Sequence, residues 1–108
     1  MESFSEKIKR LIASRKVRIS EHGYDELEED GLSARAVVSG AADAILIEDY
    51  PNFAKGACGL FLQKDLLGEF IHVVWGIPKG HDEPAVLVTA YRPDPRKWDQ
   101  TFRRRLKQ

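Results

Sequence analysis

Four apolar segments in the second half of the chain constrain the fold most, because only a few residues separate each from the next. All four are rich in the β-branched and aromatic residues that favour strands. They span residues 44–50, 58–63, 69–77 and 85–92. Strands joined by such short connections pair antiparallel. The pattern therefore predicts a four-stranded antiparallel meander, a sheet whose strands follow chain order.

Three helices are predicted before this sheet, each opened by a serine at the N-cap position. Serine is favoured there because its hydroxyl accepts a hydrogen bond from a free backbone amide of the first turn. Ser3 and Glu6 also have the spacing of a capping box. The predicted helices span residues 4–14, 21–29 and 34–41. The short stretch 15–19 between the first two is predicted to be extended.

A closing helix is predicted after the last strand. Trp98, Phe102 and Leu106 recur at the spacing of one helix face, and Asp94 and Pro95 precede them as a cap and a first-turn proline. This helix would cover one side of the sheet. The chain of 108 residues has the size of one domain. We therefore predict a single α+β domain, with helices first, then the antiparallel sheet, then a basic helical end.

Charge is distributed unevenly, although the 17 basic and 17 acidic residues cancel. Residues 1–18 carry a net charge of +4, residues 19–50 carry −8 and residues 92–108 carry +5. If the two basic ends pack side by side, they form a face that attracts phosphate backbones. The alternative is that both ends pair with the acidic middle of the chain.

The cysteine count and the lengths of the apolar runs indicate a cellular compartment. Cys58 is the only cysteine, so an intrachain disulfide is impossible, and we expect it to be a buried small residue. No apolar run approaches the ~20 residues that span a bilayer, and no signal-like segment opens the chain. We expect a cytoplasmic protein with no membrane partner.

A first candidate for chemistry is the segment containing Arg18, Ser20, His22 and Glu26. On a helix that begins after Ser20, His22 and Glu26 lie one turn apart on the same face. The carboxylate could then orient the imidazole as a general acid or base, while Arg18 and the helix amides favour an anion. The alternative is a histidine that only packs under the sheet.

A second candidate is His72, in the third predicted strand. A symmetric turn would place His72 opposite Thr89 and Phe70 opposite Tyr91, which gathers His72, Thr89 and Tyr91 on one face. A slip of the register would change these partners. Ile71 and its alternate neighbours would line the opposite, more apolar face. The alternative is a core histidine that hydrogen-bonds to threonine.

The third candidate joins the last strand to the predicted closing helix. Arg92 ends the strand and Arg96 follows at the next turn, and guanidinium groups suit bidentate phosphate binding. Tyr91 or Trp98 could stack on a base. The alternative is that Trp98 belongs to the core and that the prolines only reverse the chain.

Several familiar catalytic patterns are missing from the sequence. It has no glycine-rich phosphate loop, no CxxC pair, no paired-histidine zinc helix and no serine-nucleophile elbow. A metal held by His22, Glu26 and His72 is a minor alternative. We therefore expect no cofactor and no metal.

Three motifs together resemble a known family. They are RxSxHxxxE from Arg18 to Glu26, TAYRPDPxxW from Thr89 to Trp98, and FRRR from Phe102 to Arg105. They are similar to a widespread family of short bacterial proteins known only as a domain of unknown function. That family is usually grouped with the superfamily of barnase, colicin-type ribonucleases and RelE-like toxins. The resemblance spans roughly residues 17–105 and implies a RelE/barnase-like fold and RNA cleavage or interference with translation.

The leading hypothesis is a toxin-type, metal-independent endoribonuclease, in which a 2′-hydroxyl attacks the adjacent phosphate. His22 would be the general base or acid, held by Glu26, and His72 a possible second proton carrier. Arg92 would stabilise the charge that develops on the phosphate.

The RNA would be held by basic and aromatic side chains. The candidates are Arg18, Tyr91, Arg96 and Arg103. The alternative is a non-catalytic module that binds a protein partner or structured RNA through its basic ends. In a bacterial setting, the protein partner might be a cognate antitoxin.

Overall fold

The computed structural model describes residues 1–107, which form three α-helices and one five-stranded sheet. The helices are α1 (Phe4–Ala13), α2 (Glu21–Glu29) and α3 (Ala34–Gly40), and a single 3₁₀ turn, Ala41–Asp43, follows α3. The strands are β1 (Val17–Ile19), β2 (Ile45–Tyr50), β3 (Cys58–Lys64), β4 (Phe70–Gly76) and β5 (Ala85–Tyr91). The α+β class is confirmed.

The predicted four-stranded antiparallel sheet is wrong, because the observed sheet has five strands and is mixed. Its order is β1-β5-β4-β3-β2, and β1 pairs parallel with β5. Strands β2 to β5 do pair antiparallel in chain order. Strand β1 lies within the stretch 15–19 that is predicted to be extended, but three residues do not indicate a partner strand. Its partner residues in β5 lie 68 positions later in the chain, so nothing local in the sequence predicts the parallel pair.

The serine caps position the helices as predicted. The Ser3 hydroxyl accepts a hydrogen bond from the Glu6 amide at 3.1 Å, and the Glu6 carboxylate accepts from the Ser3 amide at 3.0 Å. The Ser20 hydroxyl accepts from the Gly23 amide at 2.9 Å. All three helices begin and end within one residue of their predicted bounds. None of the helices in residues 1–107 is long and apolar enough to span a membrane.

The helices cover one face of the sheet and form the main hydrophobic core with it. Ile71, Val73 and Trp75 of β4 point to this face and have no exposed surface, as the alternation predicts. The helices contribute buried side chains opposite them: Ile8, Leu11, Ile12, Leu27 and Val37. Gly23 allows α2 to approach β5, because a Cβ at this position would lie 2.7 Å from the Leu87 carbonyl oxygen.

The predicted closing helix is also wrong, because residues 93–107 form turns and one isolated antiparallel bridge, between Trp98 and Arg105. Asp99 explains the difference. Its carboxylate accepts hydrogen bonds from the backbone amides of Thr101 and Arg103, both at 3.1 Å. Such local side-chain bonds compete with a helix for the same amides.

Phe102 completes the turn with a backbone φ of +58°, a left-handed conformation that no residue inside an α-helix adopts. Residues 98–105 therefore fold back on themselves and lie over the sheet face that the helices leave uncovered. We call this segment the C-terminal cover. Within the cover the Trp98 side chain is buried, as the core alternative predicted, whereas Leu106, which follows the cover, is 43% exposed.

Candidate functional site

His72 lies on the sheet face opposite the helices and has no exposed surface. It pairs with Tyr91 of β5, and Val74 pairs with Thr89. The predicted partner of His72 is therefore wrong by two residues, and the irregularity between Val74 and Trp75 contributes one of the two. An even shift preserves the face, so the gathering of His72, Thr89 and Tyr91 on one face is confirmed.

Two hydrogen bonds fix the His72 imidazole. Its Nε2 lies 2.7 Å from the carbonyl oxygen of Phe102, and its Nδ1 lies 3.3 Å from the Tyr91 hydroxyl. A carbonyl oxygen can only accept, so Nε2 carries a hydrogen. In the neutral ring Nδ1 then accepts from the Tyr91 hydroxyl. The ring of Trp98 packs edge-on against the imidazole, with ring centroids 4.3 Å apart.

Burial sets the ionisation of this histidine. Desolvation lowers the pKa of His72 below its ordinary value, although the Phe102 carbonyl and the Glu48 carboxylate act in the opposite direction. The neutral imidazole is therefore favoured while the site is closed. Burial also raises the pKa of the half-buried Tyr91, which keeps its hydroxyl protonated.

A second polar group on the same face joins β2 to the C-terminal cover. The Arg105 guanidinium donates to both carboxylate oxygens of Glu48, at 2.9 and 3.0 Å, and Tyr50 also donates to this carboxylate. These hydrogen bonds, the one from Arg105 above all, lower the pKa of Glu48, and the pair raises the pKa of Arg105. The Arg105 guanidinium also lies over the Trp98 ring, 4.7 Å from its centroid.

These residues form one arrangement, which we call the His72 cluster. Its sheet side consists of Glu48, Tyr50, His72 and Tyr91. Its cover side consists of Trp98, Phe102 and Arg105. It combines an imidazole, a carboxylate, two phenols and a guanidinium, which are the groups that acid–base chemistry on a phosphate ester requires.

Sequence reasoning missed Glu48, Tyr50 and Arg105 as members of this cluster. The spacing of two residues between Glu48 and Tyr50 in a predicted strand is a signal that they share a face. No comparable signal exists for Arg105, because its partner Glu48 lies 57 residues earlier in the chain.

His22 and Glu26 form the predicted pair on α2, with Nε2 and Oε1 3.4 Å apart. The His22 side chain is 64% exposed. Because α2 packs on the core face through Gly23 and Leu27, this pair lies across the sheet from His72. The structure therefore does not bring the two histidines into one site, and a catalytic role for His22 stays a prediction.

Arg18 is not joined to His22 either. It lies opposite Val86 on β5, which places it on the face that carries His72. The helix that carries His22 is instead acidic, with five carboxylates: Glu21, Asp25, Glu26, Glu28 and Glu29. The predicted anion site formed by Arg18 and the start of α2 is thus divided between the two faces.

The other arginines that are predicted to bind phosphate differ in whether their guanidinium groups already form ion pairs. The Arg92 guanidinium pairs with Asp65 at 3.0 Å, and its backbone amide donates to Asp30 at 2.7 Å. Arg96 folds back on Asp94 at 3.1 Å. Within residues 1–107, Arg103 is exposed and makes no ion pair. Arg103 is therefore the most available of these guanidinium groups.

The residues considered for a metal do not converge, because His72 is across the sheet from His22 and Glu26. In the described part of the chain, no three His, Cys, Asp or Glu side chains are grouped closely enough to share a metal ion. Cys58 is buried as expected, and burial raises the pKa of its thiol.

The sheet side of the His72 cluster lies in a part of the chain that matches a known family. Residues 19–92 match the model of the family described as "Domain of unknown function (DUF4258)", and the chain belongs to this family. The match covers the sheet side of the cluster and ends before the C-terminal cover, so it is narrower than the 17–105 range of the resemblance. No curated protein and no solved structure matches the chain.

Proposed function

We propose that this protein is a metal-independent endoribonuclease whose catalytic centre is the His72 cluster, and that it acts on RNA in the cytoplasm. One observation carries the proposal. One sheet face holds the Glu48 carboxylate and the His72 imidazole, close enough for the Glu48 charge to act on the pKa of His72. The Arg105 guanidinium of the C-terminal cover binds Glu48, and the Tyr91 phenol lies on the second imidazole nitrogen. The three sequence motifs resemble a family that is usually grouped with ribonuclease toxins, and this grouping supports the same class of reaction.

The roles follow from the ionisation of each group. Glu48 is ionised and becomes a general base for the 2′-hydroxyl once Arg105 moves to the phosphate. When water reaches His72, the burial that lowers its pKa is relieved, and the Glu48 charge then favours the imidazolium. His72 can thus protonate the departing 5′-oxygen.

The bonds and protons balance without a co-reactant. The O2′–P bond forms and the P–O5′ bond breaks, which gives a 2′,3′-cyclic phosphate and a free 5′-hydroxyl. The 2′-hydroxyl proton goes to Glu48, and the His72 proton goes to the 5′-oxygen. Tyr91 holds the imidazole through Nδ1. The guanidinium of Arg105 stabilises the charge on the phosphoryl oxygens.

The distribution of charge supports an approach of RNA to this face. Arg18 and the C-terminal cover, with exposed Arg103 and Arg104, lie on the His72 side of the sheet. The acidic helix α2 lies on the other side. The basic side chains of Arg18, Arg103 and Arg104 therefore attract a polyanion to the His72 face.

The decisive experiment measures cleavage of a labelled RNA by the purified wild type and by His72→Gln, His22→Gln and His81→Gln. His81 is exposed and outside the cluster, so its variant is the matched control. We expect His72→Gln to lose ~10²–10⁴ of the rate, since that is the range of general acid–base catalysis. Full activity of folded His72→Gln would overturn the proposal, and a loss confined to His22→Gln would move the centre to α2.

A second candidate function is favoured by the zero exposure of His72. A non-catalytic module would use the same buried network only to fix the C-terminal cover. It would bind RNA or a protein partner, such as an antitoxin, through exposed Arg103 and Arg104. Replacing both with Gln would then weaken RNA binding and reduce its salt dependence, with no cleavage in any variant.

A further inference from the structure

We propose that the C-terminal cover is an autoinhibitory strap, which closes over the sheet side of the His72 cluster and releases the His72 imidazole when the Arg105–Glu48 pair breaks and frees the guanidinium to bind a phosphate. Its effect on catalysis rests on the proposed function, but its movement does not. In the closed state His72 is inaccessible, and the atom that would face a substrate oxygen is bound to the protein itself.

The cover blocks the histidine at the position where chemistry would occur. The Phe102 carbonyl oxygen accepts from His72 Nε2 at 2.7 Å and occupies the place that an oxygen of a phosphate ester would take. Trp98 seals one side of the imidazole, and the Phe102 ring packs against Phe70, with centroids 5.8 Å apart. No substrate can reach His72 unless these three contacts are released together.

The attachment of the cover is suited to reversible opening. Residues 98–105 add no strand to the sheet, and their one β-bridge joins Trp98 to Arg105 within the cover. The ion pair that ties the cover to β2 is accessible to water, since the Arg105 side chain is 62% exposed. The main core lies on the other face of the sheet and keeps its contacts when the cover leaves.

The closed state is nevertheless the resting state. Leu60 and Leu62 are 2% and 3% exposed and lie on the His72 face, over which the cover folds. Opening would bring water to these side chains and to Trp98. This cost keeps the open population small until the Arg105–Glu48 pair is weakened.

The family match supports the view that the groups with acid–base chemistry and the segment that blocks them are separate parts of the chain. It ends at residue 92, so the sheet side of the cluster, from Glu48 to Tyr91, belongs to the shared domain. Trp98, Phe102 and Arg105 lie outside the matched range. The groups with acid–base chemistry are therefore all carried by the domain, and only the blocking groups, with the guanidinium, come from the cover.

The three histidines of the chain make opening directly measurable. Diethyl pyrocarbonate acylates accessible neutral imidazoles, and peptide mass spectrometry reports each histidine separately. His22 and His81 are exposed and serve as internal references for His72. We expect His72 in the wild type to react far more slowly than either, and Arg105→Gln to accelerate His72 roughly tenfold, from the loss of an exposed ion pair and a cation–π contact.

Two control variants separate local opening from other effects. Arg104→Gln removes the same charge from the cover but no ion pair, and it should leave the His72 rate unchanged. Val37→Ala weakens the core on the other face and should also leave it unchanged. Glu48→Gln breaks the same pair from the sheet side and replaces Arg105→Gln if that variant does not fold.

Each outcome decides the proposal. His72 reacting as fast as His22 in the wild type would overturn it, because the cover would not be closed. An unchanged rate in both folded pair-breaking variants, or equal acceleration by Val37→Ala, would also overturn it. Acceleration by Arg105→Gln or Glu48→Gln alone supports the strap even if no variant cleaves RNA, so failure of the proposed function remains distinguishable.

Discussion

The Phe102 carbonyl oxygen lies 2.7 Å from His72 Nε2, although the two residues are 30 positions apart in the chain. This contact determines both the tautomer and the accessibility of His72, the buried histidine. It fixes the tautomer, because Nε2 must carry the hydrogen. It also couples the histidine to the C-terminal cover. His72 therefore becomes accessible only when residues 98–105 move.

Lowering the pH should destabilise the wild-type fold through His72. Its pKa is lowered in the folded state, mainly by burial, with Arg105 adding to the shift and Glu48 opposing it. Its contribution to stability is therefore present above the unfolded pKa of about 6.5 and is lost as the pH falls below it. The free energy of unfolding should fall by up to ~1.4 kcal/mol per pH unit in this window.

Urea unfolding between pH 7.5 and 5 measures this effect. The comparison protein is His72→Gln, in which His22 and His81 are unchanged. The difference between the two slopes isolates His72, and this window lies above the titration of ordinary carboxylates. Identical pH slopes for the two proteins would contradict the prediction.

Gly23→Ala should destabilise the protein by about 1–2 kcal/mol, despite the better helix propensity of alanine. A Cβ at this position would lie 2.7 Å from the Leu87 carbonyl oxygen and 3.1 Å from the Leu87 side chain. The helix α2 must then move away from β5. Urea unfolding checks the value, with the exposed Glu28→Ala on the same helix as the control. A stabilised Gly23→Ala protein would show that α2 is free to shift.

Gln63→Met should cost about 2–4 kcal/mol of unfolding free energy, because it leaves two buried polar groups without partners. The Gln63 amide donates to the Val37 carbonyl oxygen and accepts from Trp75 Nε1, both at 2.8 Å. It thereby ties α3 to the centre of the sheet. Thermal or urea unfolding gives the value, and a loss below about 0.5 kcal/mol would mean that these groups find other partners.

The coupling energy between Arg105 and Glu48 should be small, about 0.5–1 kcal/mol, since the guanidinium is largely exposed. A double-mutant cycle with Arg105→Gln and Glu48→Gln measures it from unfolding free energies. Raising the salt concentration should reduce it further. A coupling above about 2 kcal/mol would indicate a buried pair and a cover that opens only on global unfolding.

Local signals in the sequence determined the elements of this protein well. Serine caps followed by helical spacing located α1, α2 and α3 within one residue, because a capping hydrogen bond joins residues three apart. Alternation located the core face of β4 and the shared face of His72 and Tyr91. The spacing of His22 and Glu26 likewise predicted their contact on α2.

Tertiary structure alone decided the parallel pairing of β1 with β5, the position of His22 across the sheet from His72, and the docking of the C-terminal cover on the sheet. Each depends on contacts between residues far apart in the chain, as between Glu48 and Arg105. Spacing along a sequence carries no information about such contacts. In residues 98–105 the spacing of the apolar residues favoured a helix, but the local hydrogen bonds to the Asp99 carboxylate formed instead. These bonds satisfy the same backbone amides and do not require the unfavourable nucleation of a helix.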